Sequence, residues 1–313
     1  MSRSGWFLAC LALLTAVPFA QQPPLETVRV RGQVSLVSAG GANALVQVGS
    51  QGVLVVDPLA ASSAERLLDS VRTLAGNRPI GYVLNTNVRA DHTGGNEAIA
   101  AAGSQQVSGN FAAQLGGAGA KGAFIVAHEN VLHRLSGAVG GGPAVPTGGW
   151  PTDTFFQAEK TMYFNGEGIQ LRHIPAATSD GDILVFFRSS DVIAAGDLFN
   201  MDSYPEIDTA LGGTVDGVIE GLNTLIDLAI SEQFTEGGTR IVPGHGRITD
   251  EFDVVEYRDM VTIVRDRVQA MKRKRMTVEQ ARAARPTFEY DRRFAASRSA
   301  ADAFVERVYR TVK

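Results

Sequence analysis

The most informative segment of the chain is Asn85-Thr86-Asn87-Val88-Arg89-Ala90-Asp91-His92-Thr93-Gly94-Gly95-Asn96. It follows an apolar run at residues 80–84 that predicts a short buried strand, and a helix is predicted from residue 97. Asp91 and His92 therefore lie in a loop at the end of a strand, and after Thr93 two glycines follow. A carboxylate and an imidazole are side chains that bind divalent metal ions.

Two later segments repeat this arrangement. The apolar residues 192–195 lead into Gly196-Asp197, and residues 240–242 lead into Pro243-Gly244-His245. Asp57 ends an earlier β-branched run at residues 53–56. Each segment places a carboxylate or an imidazole at the C-terminal end of a strand, where loops converge on one edge of a layered domain.

Strands and helices alternate along the chain, which predicts an α/β layered domain. Further strands are predicted at residues 28–37, 44–56, 162–164, 169–174 and 183–188, with a hairpin turn at Asn165-Gly166. Helices are predicted at residues 62–74 and 215–230 and in the tail, where apolar residues recur at three- and four-residue steps from Val254 to Met271. Thr277 and Gln280 form a capping-box pattern.

The ordered segments resemble the metallo-β-lactamase fold, whose metal loop reads Thr-His-x-His-x-Asp-His-x-Gly-Gly. The resemblance covers about residues 28–268 and is nearer to glyoxalase II and the quinoprotein-relay hydrolases than to the true β-lactamases. It implies an αβ/βα four-layer sandwich of two mixed β-sheets flanked by helices. We expect this domain at residues 25–275 and a C-terminal helical extension at residues 276–313.

Members of this family bind one metal through three histidines and a second through Asp, His and His, with a bridging Asp. Carried over to this chain, the resemblance implies an intact second site of Asp91, His92 and His245, with Asp197 in the bridging position. The first-site histidines are replaced by Asn87, Arg89 and Thr178; the last of these is placed by the segment PAATSDGD at residues 175–182. All three losses occur together, so one whole metal site is expected to be missing.

Two histidines and two carboxylates suit one divalent ion, zinc in our interpretation, with iron or manganese as alternatives. Asp91 is expected to bind the metal and to orient the nucleophile. Arg89 carries a permanent charge and would repel a second cation. Our hypothesis is that Arg89 replaces the charge of the first metal, either by pairing with Asp197 or by binding a substrate carbonyl, carboxylate or phosphate. The alternative is an outward-pointing Arg89 that pairs with a surface acid.

Other candidates are weaker. His128 and His133 are predicted to lie on one helix, five residues apart, and so on different faces. His173 ends a strand and either packs there or enters the cleft. Asp57 is expected to hydrogen-bond the metal loop; the alternative is that it only ends its strand. The long Gly- and Pro-rich stretch at residues 136–150 suggests a loop bordering the cleft, with Trp150 either contacting substrate or packing against the fold.

The composition and the N-terminal residues indicate which kind of partner the protein binds and in which compartment it is expected. The net charge of −4 gives no general affinity for nucleic acid or anionic membranes, so the expected partner is a small-molecule substrate. Residues 1–20 have a secretory signal pattern, with Arg3 before an apolar run too short to cross a bilayer. Cleavage after Ala20 would leave no integral membrane span and would remove Cys10, the single cysteine. We therefore expect a periplasmic or secreted protein; an N-terminal anchor is the alternative.

Three functions follow from these observations. The first is an exported metal-dependent hydrolase with a single-metal site, in which an activated water attacks an ester, thioester, lactone or amide carbonyl. The second is a pseudoenzyme that keeps the fold to bind a small ligand or a partner protein. The third is a redox or oxygen-handling role with iron. The chain has neither a phosphate-cradling glycine fingerprint nor a Gly-x-Ser-x-Gly nucleophile elbow.

Overall fold

Two β-sheets face each other in this computed structural model, which describes residues 25–105, 121–139 and 145–313. The predicted signal peptide at residues 1–20 lies outside the described residues, as do residues 140–144 of the Gly- and Pro-rich stretch. The first sheet contains strands β1 Glu26–Arg31, β2 Val34–Ala39, β3 Ala42–Gly49, β4 Gly52–Val56, β5 Ile80–Leu84, β6 Phe124–His128 and β7 Asp153–Phe155. They lie in chain order from β1 to β7, antiparallel as far as β4 and parallel from β4 onward.

The sequence prediction of single strands at residues 28–37 and 44–56 was wrong. Each of these segments contains a tight turn, so the chain forms the antiparallel pairs β1–β2 and β3–β4. Gly32 in the first turn has φ 57°, a conformation that glycine adopts without steric cost.

The second sheet contains β8 Glu159–Phe164, β9 Glu167–His173, β10 Ile183–Phe187, β11 Val192–Asn200 and β12 Arg240–His245. These strands also lie in chain order, antiparallel except for the parallel pair β11–β12. The predicted hairpin turn at Asn165-Gly166 is confirmed, since both residues have positive φ, 53° and 81°. Among the described residues, the two sheets meet where His245 of β12 pairs with Ala42 of β3.

Alternating side chains along each strand divide the apolar residues between two faces. In β4, Leu54 and Val56 point to the second sheet, whereas Val53 and Val55 point to helices outside the first sheet. In β11, Val192 points inward to the same intersheet core, and Ile193 points outward. The main core therefore lies between the sheets, and each sheet has a second apolar face that a helix layer must cover.

Helices cover both outer faces. Each buried Leu or Val on these helices contributes roughly 1.5–3 kcal/mol by leaving water. Outside the first sheet lie α1 Ala64–Ala75 and α3 Asn96–Ala101, and outside the second lie α5 Val215–Leu228, α6 Glu251–Arg273 and α9 Arg298–Thr311. Shorter helices are α2 Ala90–Thr93, α4 Glu129–Leu135, α7 Val278–Ala283 and α8 Asp291–Phe294. The predicted αβ/βα four-layer sandwich is confirmed.

The C-terminal helices belong to the outer layer of the second sheet. Phe304, Val305 and Val308 of α9 are buried in the same cluster as Val261 and Val264 of α6. The predicted capping box of Thr277 and Gln280 opens α7. In the part of the chain that the structure describes, no helix has the length and apolar character needed to cross a membrane.

Candidate metal centre

The loop after β5 carries Asp91 and His92 on the short helix α2, with Arg89 as the residue before its first turn. The two glycines that follow allow this loop to lie directly against the connection after β4. A Cβ atom on Gly95 would collide with the carbonyl oxygen of Pro58, so the backbone contact requires glycine. The glycine pair is thus a packing requirement that fixes where Asp91 and His92 stand.

The second sheet supplies Asp197 from within β11 and His245 from the end of β12. These two strands are parallel neighbours, so their carboxyl ends reach the same edge of the sheet. Gly244 leaves room beside His245: a Cβ atom there would lie 2.8 Å from Cε1 of His92 and 2.9 Å from Oδ1 of Asp197. The two halves of the centre therefore meet without an intervening side chain.

The four residues predicted as metal ligands lie together. Nε2 of His245 is 3.0 Å from Oδ2 of Asp91 and 3.6 Å from Oδ1 of Asp197, and Nε2 of His92 is 3.0 Å from the same Oδ1. One donor atom from each of Asp91, His92 and His245 lies within 4.8 Å of the others. Two imidazole nitrogens and one carboxylate thus form a compact donor set, with Oδ1 of Asp197 beside both histidines, and this donor chemistry fits a single divalent cation.

The four side chains of the centre differ in exposure: two are buried at its base, and two lie at its opening to solvent, called the mouth. The side chains of His92 and Asp197 are 2% and 8% exposed, whereas those of Asp91 and His245 are 36% and 32% exposed. The hydrogen bond from His245 lowers the pKa of Asp91. Burial alone would raise the pKa of Asp197, but His92, Arg89 and His245 outweigh it and hold this pKa well below its usual range. Both carboxylates are therefore ionised at neutral pH.

Asp57 orients His92, as the sequence suggested. Its Oδ2 lies 2.8 Å from Nδ1 of His92 and accepts the hydroxyl of Thr86 at 2.6 Å, while its Oδ1 accepts the Thr86 backbone N–H at 2.7 Å. This contact leaves Nε2 of His92 facing Asp197. Burial would lower the pKa of His92, but the carboxylates of Asp197 and Asp57 outweigh it and raise that pKa well above 6.5.

The positions of the missing histidines are filled by other interactions. Asn87 is fully buried, and its Nδ2 donates to Oδ2 of Asp197 at 3.2 Å. Nε of Arg89 lies 3.4 Å from the same Oδ2. Thr178 is fully buried, and its hydroxyl donates to the carboxylate of Asp182 at 2.9 Å. The side of Asp197 that faces away from the two histidines is thus occupied by an amide and a guanidinium.

Arg89 makes both contacts considered from the sequence, one with Asp197 and one with a surface acid. Its side chain is 20% exposed and contacts Asp197, and the far end of its guanidinium pairs with Glu206, whose carboxylate is 61% exposed. It also donates to the backbone carbonyl of Glu206. Sequence reasoning did not identify Glu206, because an acid in a loop 117 residues away carries no pattern that links it to Arg89.

A cavity of about 300 Å³ opens at the mouth of the centre. Its wall contains Asp91, Asp197, His245 and Arg89 together with residues of the segment after β11. That segment contributes Asp202, Ser203, Tyr204 and Glu206, and the last residue of β11 contributes Asn200. Sequence reasoning singled out none of these five, although they follow directly after the Gly196-Asp197 motif.

The weaker histidine candidates lie elsewhere. The prediction that His128 lies on a helix was wrong: it is the last residue of β6, and its Nδ1 accepts the Asn130 N–H to cap α4. Its ring stacks on His173, with centroids 3.6 Å apart. His133 does lie on α4. None of these three is among the described residues that line the cavity at the centre.

Trp150 packs with Val88 of the metal loop beside a small cluster of Ala127, Val131 and Leu135. Its indole N–H donates to the carbonyl of Val145 at 2.7 Å. It supports the metal loop from outside and is absent from the cavity wall formed by described residues. Of the two roles considered for Trp150, the structure therefore supports packing against the fold and not contact with substrate.

Comparisons with known proteins agree with this fold. The stereoselective inverting sec-alkylsulfatase Pisa1 from Pseudomonas sp. matches with a TM-score of 0.67 and 15% identity over 91% of this chain, which spans 50% of the sulfatase's length. A metallo-beta-lactamase from Pontibacter korlensis matches with a TM-score of 0.54 and 16% identity, covering 76% of this chain and 99% of the lactamase. A search of curated proteins found no match. Residues 37–245 match the sequence profile of the metallo-beta-lactamase superfamily, so the chain belongs to that superfamily.

Proposed function

We propose that this protein is an exported hydrolase that holds one divalent ion at Asp91, His92, His245 and Asp197. A single ion is supported by the observation that the two oxygens of the Asp197 carboxylate have different partners. Its Oδ1 faces the two histidines, while its Oδ2 faces Asn87 and Arg89. In the family, the carboxylate at this position bridges two metals. In this proposal, the carboxylate of Asp197 lies between one cation site and the permanent charge of Arg89.

The donor set favours zinc, and iron or manganese would also fit two imidazoles and two carboxylates. When bound, such an ion lowers the pKa of a water molecule and polarises a carbonyl oxygen. The substrate is proposed to be a small molecule with an ester, thioester, lactone or amide bond. Addition of water to its carbonyl carbon and cleavage of the bond to the leaving group give an acid and an alcohol, thiol or amine.

The chain's own residues have separate tasks in this proposal. Asp91 lies at the mouth of the centre, where its carboxylate can orient the attacking water and accept its proton. Asp57 fixes the ring of His92 through Nδ1. Arg89 shares the cavity wall with Asp91, so its guanidinium can stabilise the negative charge that develops on the carbonyl oxygen.

The experiment begins with the number of ions bound after purification without chelator. We expect one ion per chain in the wild type and in His133→Ala, a control histidine on α4, and well under one in His245→Ala. Hydrolysis is then measured with a panel of carboxylic esters, thioesters, lactones and amides. Sulfate esters are added because a structural relative is a sulfatase. Asp91→Ala should lower turnover about a hundredfold or more.

Two results would contradict the proposal. Two tightly bound ions per chain would rule out the single-site arrangement, and activity unchanged in Asp91→Ala and His245→Ala would rule out the assigned centre. The alternative is a pseudoenzyme, which the joint loss of three histidines at Asn87, Arg89 and Thr178 favours. A metal-free chain that keeps its full thermal stability and its affinity for a ligand would support that alternative.

Export is part of the proposal and rests on the apolar N-terminal run followed by a small residue at Ala20. It places the protein in the periplasm or outside the cell. Expression with a C-terminal tag, cell fractionation and N-terminal sequencing test it directly. A mature chain that begins near Gln21 is expected; a full-length chain found in the cytoplasm would refute export.

A further inference from the structure

A second cavity of about 540 Å³ lies beside the cavity of the metal centre. The two cavities share Arg89 and Glu206, so the ion pair between these residues forms a common wall. Helix α9 also lines the larger cavity and contributes Glu306, Arg307 and Arg310. The larger cavity is of the size that takes a small molecule or a substantial part of one.

The acidic side chains around this cavity are all partnered. Glu206 pairs with Arg89, and Glu306 pairs with Arg310. The carboxylate of Asp208 accepts two backbone N–H groups, those of residues 210 and 211, at 2.9 and 3.1 Å. Two of these carboxylates thus already pair with an arginine, and the third accepts backbone N–H groups through its Oδ1.

Arg307 differs from the other charged residues of the wall. It is half-buried, and within the described ranges of the chain its guanidinium has neither a hydrogen bond nor an ion pair. A guanidinium offers five N–H donors in a planar fork that matches carboxylate, sulfate and phosphate groups. The guanidinium nitrogens of Arg307 are not among the buried, unpartnered side-chain atoms of the described residues, so this fork is accessible to an anion that enters the cavity.

We propose that the larger cavity is a subsite for an anionic group of the substrate and that Arg307 is the residue that selects for it. The anionic group is a carboxylate, sulfate or phosphate at a distance from the bond that is cleaved. The reaction itself rests on the proposed function. The cleaved bond lies in the smaller cavity beside Asp91, and the anionic end lies beyond the shared wall, against α9.

Direct titration calorimetry tests the subsite without relying on activity. Glutarate, inorganic sulfate and inorganic phosphate are titrated at matched ionic strength into the wild type, Arg307→Gln, Arg307→Lys and Arg298→Gln. Arg298 is the control, because it lies on α9, pairs with Asp302 and is outside the cavity wall. Loss of one charge-assisted contact should weaken binding about tenfold in Arg307→Gln. Arg307→Lys should give a smaller loss, and Arg298→Gln should change binding less than twofold.

The same titrations in His245→Ala separate the subsite from the metal centre. Anion binding that persists there supports a separate subsite, whereas binding that disappears places the anion at the centre and overturns the proposal. Which of the three anions binds most tightly identifies the chemical group. Absence of binding by all three, or an equal loss in Arg307→Gln and Arg298→Gln, also overturns it. The partial effect of Arg307→Lys guards against a folding defect in the glutamine variant.

Kinetics with matched esters extend the test to the substrate. We expect Arg307→Gln to lower kcat/KM about tenfold for 4-nitrophenyl hemiglutarate and less than twofold for the uncharged 4-nitrophenyl valerate. Equal effects on the two esters would overturn the selective role of Arg307. Anion binding that depends on Arg307 in a chain with no hydrolase activity would refute the proposed function and leave the subsite standing.

Discussion

Replacement of Arg89 by methionine should strengthen metal binding while it weakens catalysis. The guanidinium lies against Oδ2 of Asp197, and the proposed ion is held through Oδ1 of the same carboxylate. The two positive charges therefore repel each other across one side chain. Removal of Arg89 also leaves Asp197 with a larger share of its negative charge for the ion.

The magnitude can be worked from the contact distance. Nε of Arg89 is 3.4 Å from Oδ2, and the width of a carboxylate plus a metal–oxygen bond of about 2 Å place the charges roughly 7 Å apart. A single and a double charge at that separation repel by about 1 kcal/mol in water and by about 5 kcal/mol at an effective dielectric constant of about 20. Since about 1.4 kcal/mol is a tenfold change, the lower of these values predicts that zinc affinity rises about fivefold, and the higher value predicts a larger rise.

Competition with a chromophoric zinc chelator measures the affinity, and the ester assay measures turnover in the same samples. Arg265→Met is the matched control: Arg265 is 24% exposed and pairs with Asp216 and Asp266, away from the centre. Its zinc affinity should stay within twofold of the wild type. Weaker zinc binding in Arg89→Met would show that Arg89 supports the metal loop structurally, and it would refute the charge argument.

Three further changes probe the surroundings of the centre. Asp57→Asn places an amide where Oδ2 of Asp57 accepts the Thr86 hydroxyl and contacts His92. Zinc affinity measured by chelator competition should therefore fall about 10–100-fold. An unchanged affinity would contradict the orienting role of Asp57. Gly244→Ala inserts a methyl group 2.8 Å from Cε1 of His92, and we expect loss of bound metal and about 1–3 kcal/mol of stability in thermal unfolding; a variant with full metal content would show that the close approach is dispensable. Burial raises the pKa of Asp182 from 3.8 to about 7, so the metal-free fold binds a proton that the unfolded chain releases. The stability that this proton contributes is therefore lost as pH rises from about 4 to about 7, by up to about 4 kcal/mol. The difference in free energy of urea unfolding between Asp182→Asn and wild type should grow over that range. A constant difference would contradict the raised pKa of Asp182.

The layers of the fold could be predicted because short, strongly apolar strands end in residues with clear chemistry. The run at residues 53–56 is buried on both faces, which is why it reads as a continuous hydrophobic strand. Asp91, Asp197 and His245 each follow such a strand, and the fold brings strand ends to one edge. The prediction missed the turns at Gly32 and Gln51 because β-branched residues flank them closely, although Gly32 and Gly49-Ser50-Gln51-Gly52 are turn signals.

The limits of prediction at the site have a different origin. Arg89 was identified from its position in the loop, but its partner Glu206 lies in a connection whose path depends on the packing of α5 and α8. His128 was assigned to a helix since the helical residues 129–135 follow it directly, and local propensity does not fix the boundary between β6 and α4. Arg307 lies on a regular amphipathic helix, where an arginine on the polar face is ordinarily solvated. Its isolation from acidic partners is visible only in three dimensions.

The meeting of the two sheets gives the centre a role in folding thermodynamics. Asp91 and His92 come from a loop of the first sheet, and Asp197 and His245 belong to strands of the second. In the described part of the chain, backbone contacts that join the sheets include the pair of His245 with Ala42. An ion held by all four would cross-link segments more than 100 residues apart in the chain, as the separation of 105 residues between His92 and Asp197 shows. Ligand occupancy and cohesion of the sandwich are then linked equilibria, and an ion at a hundred times its dissociation constant adds about 2.7 kcal/mol. Binding of the proposed ion should slow amide hydrogen exchange at the inner strands of both sheets together, and its affinity would then also set the chain's resistance to proteolysis.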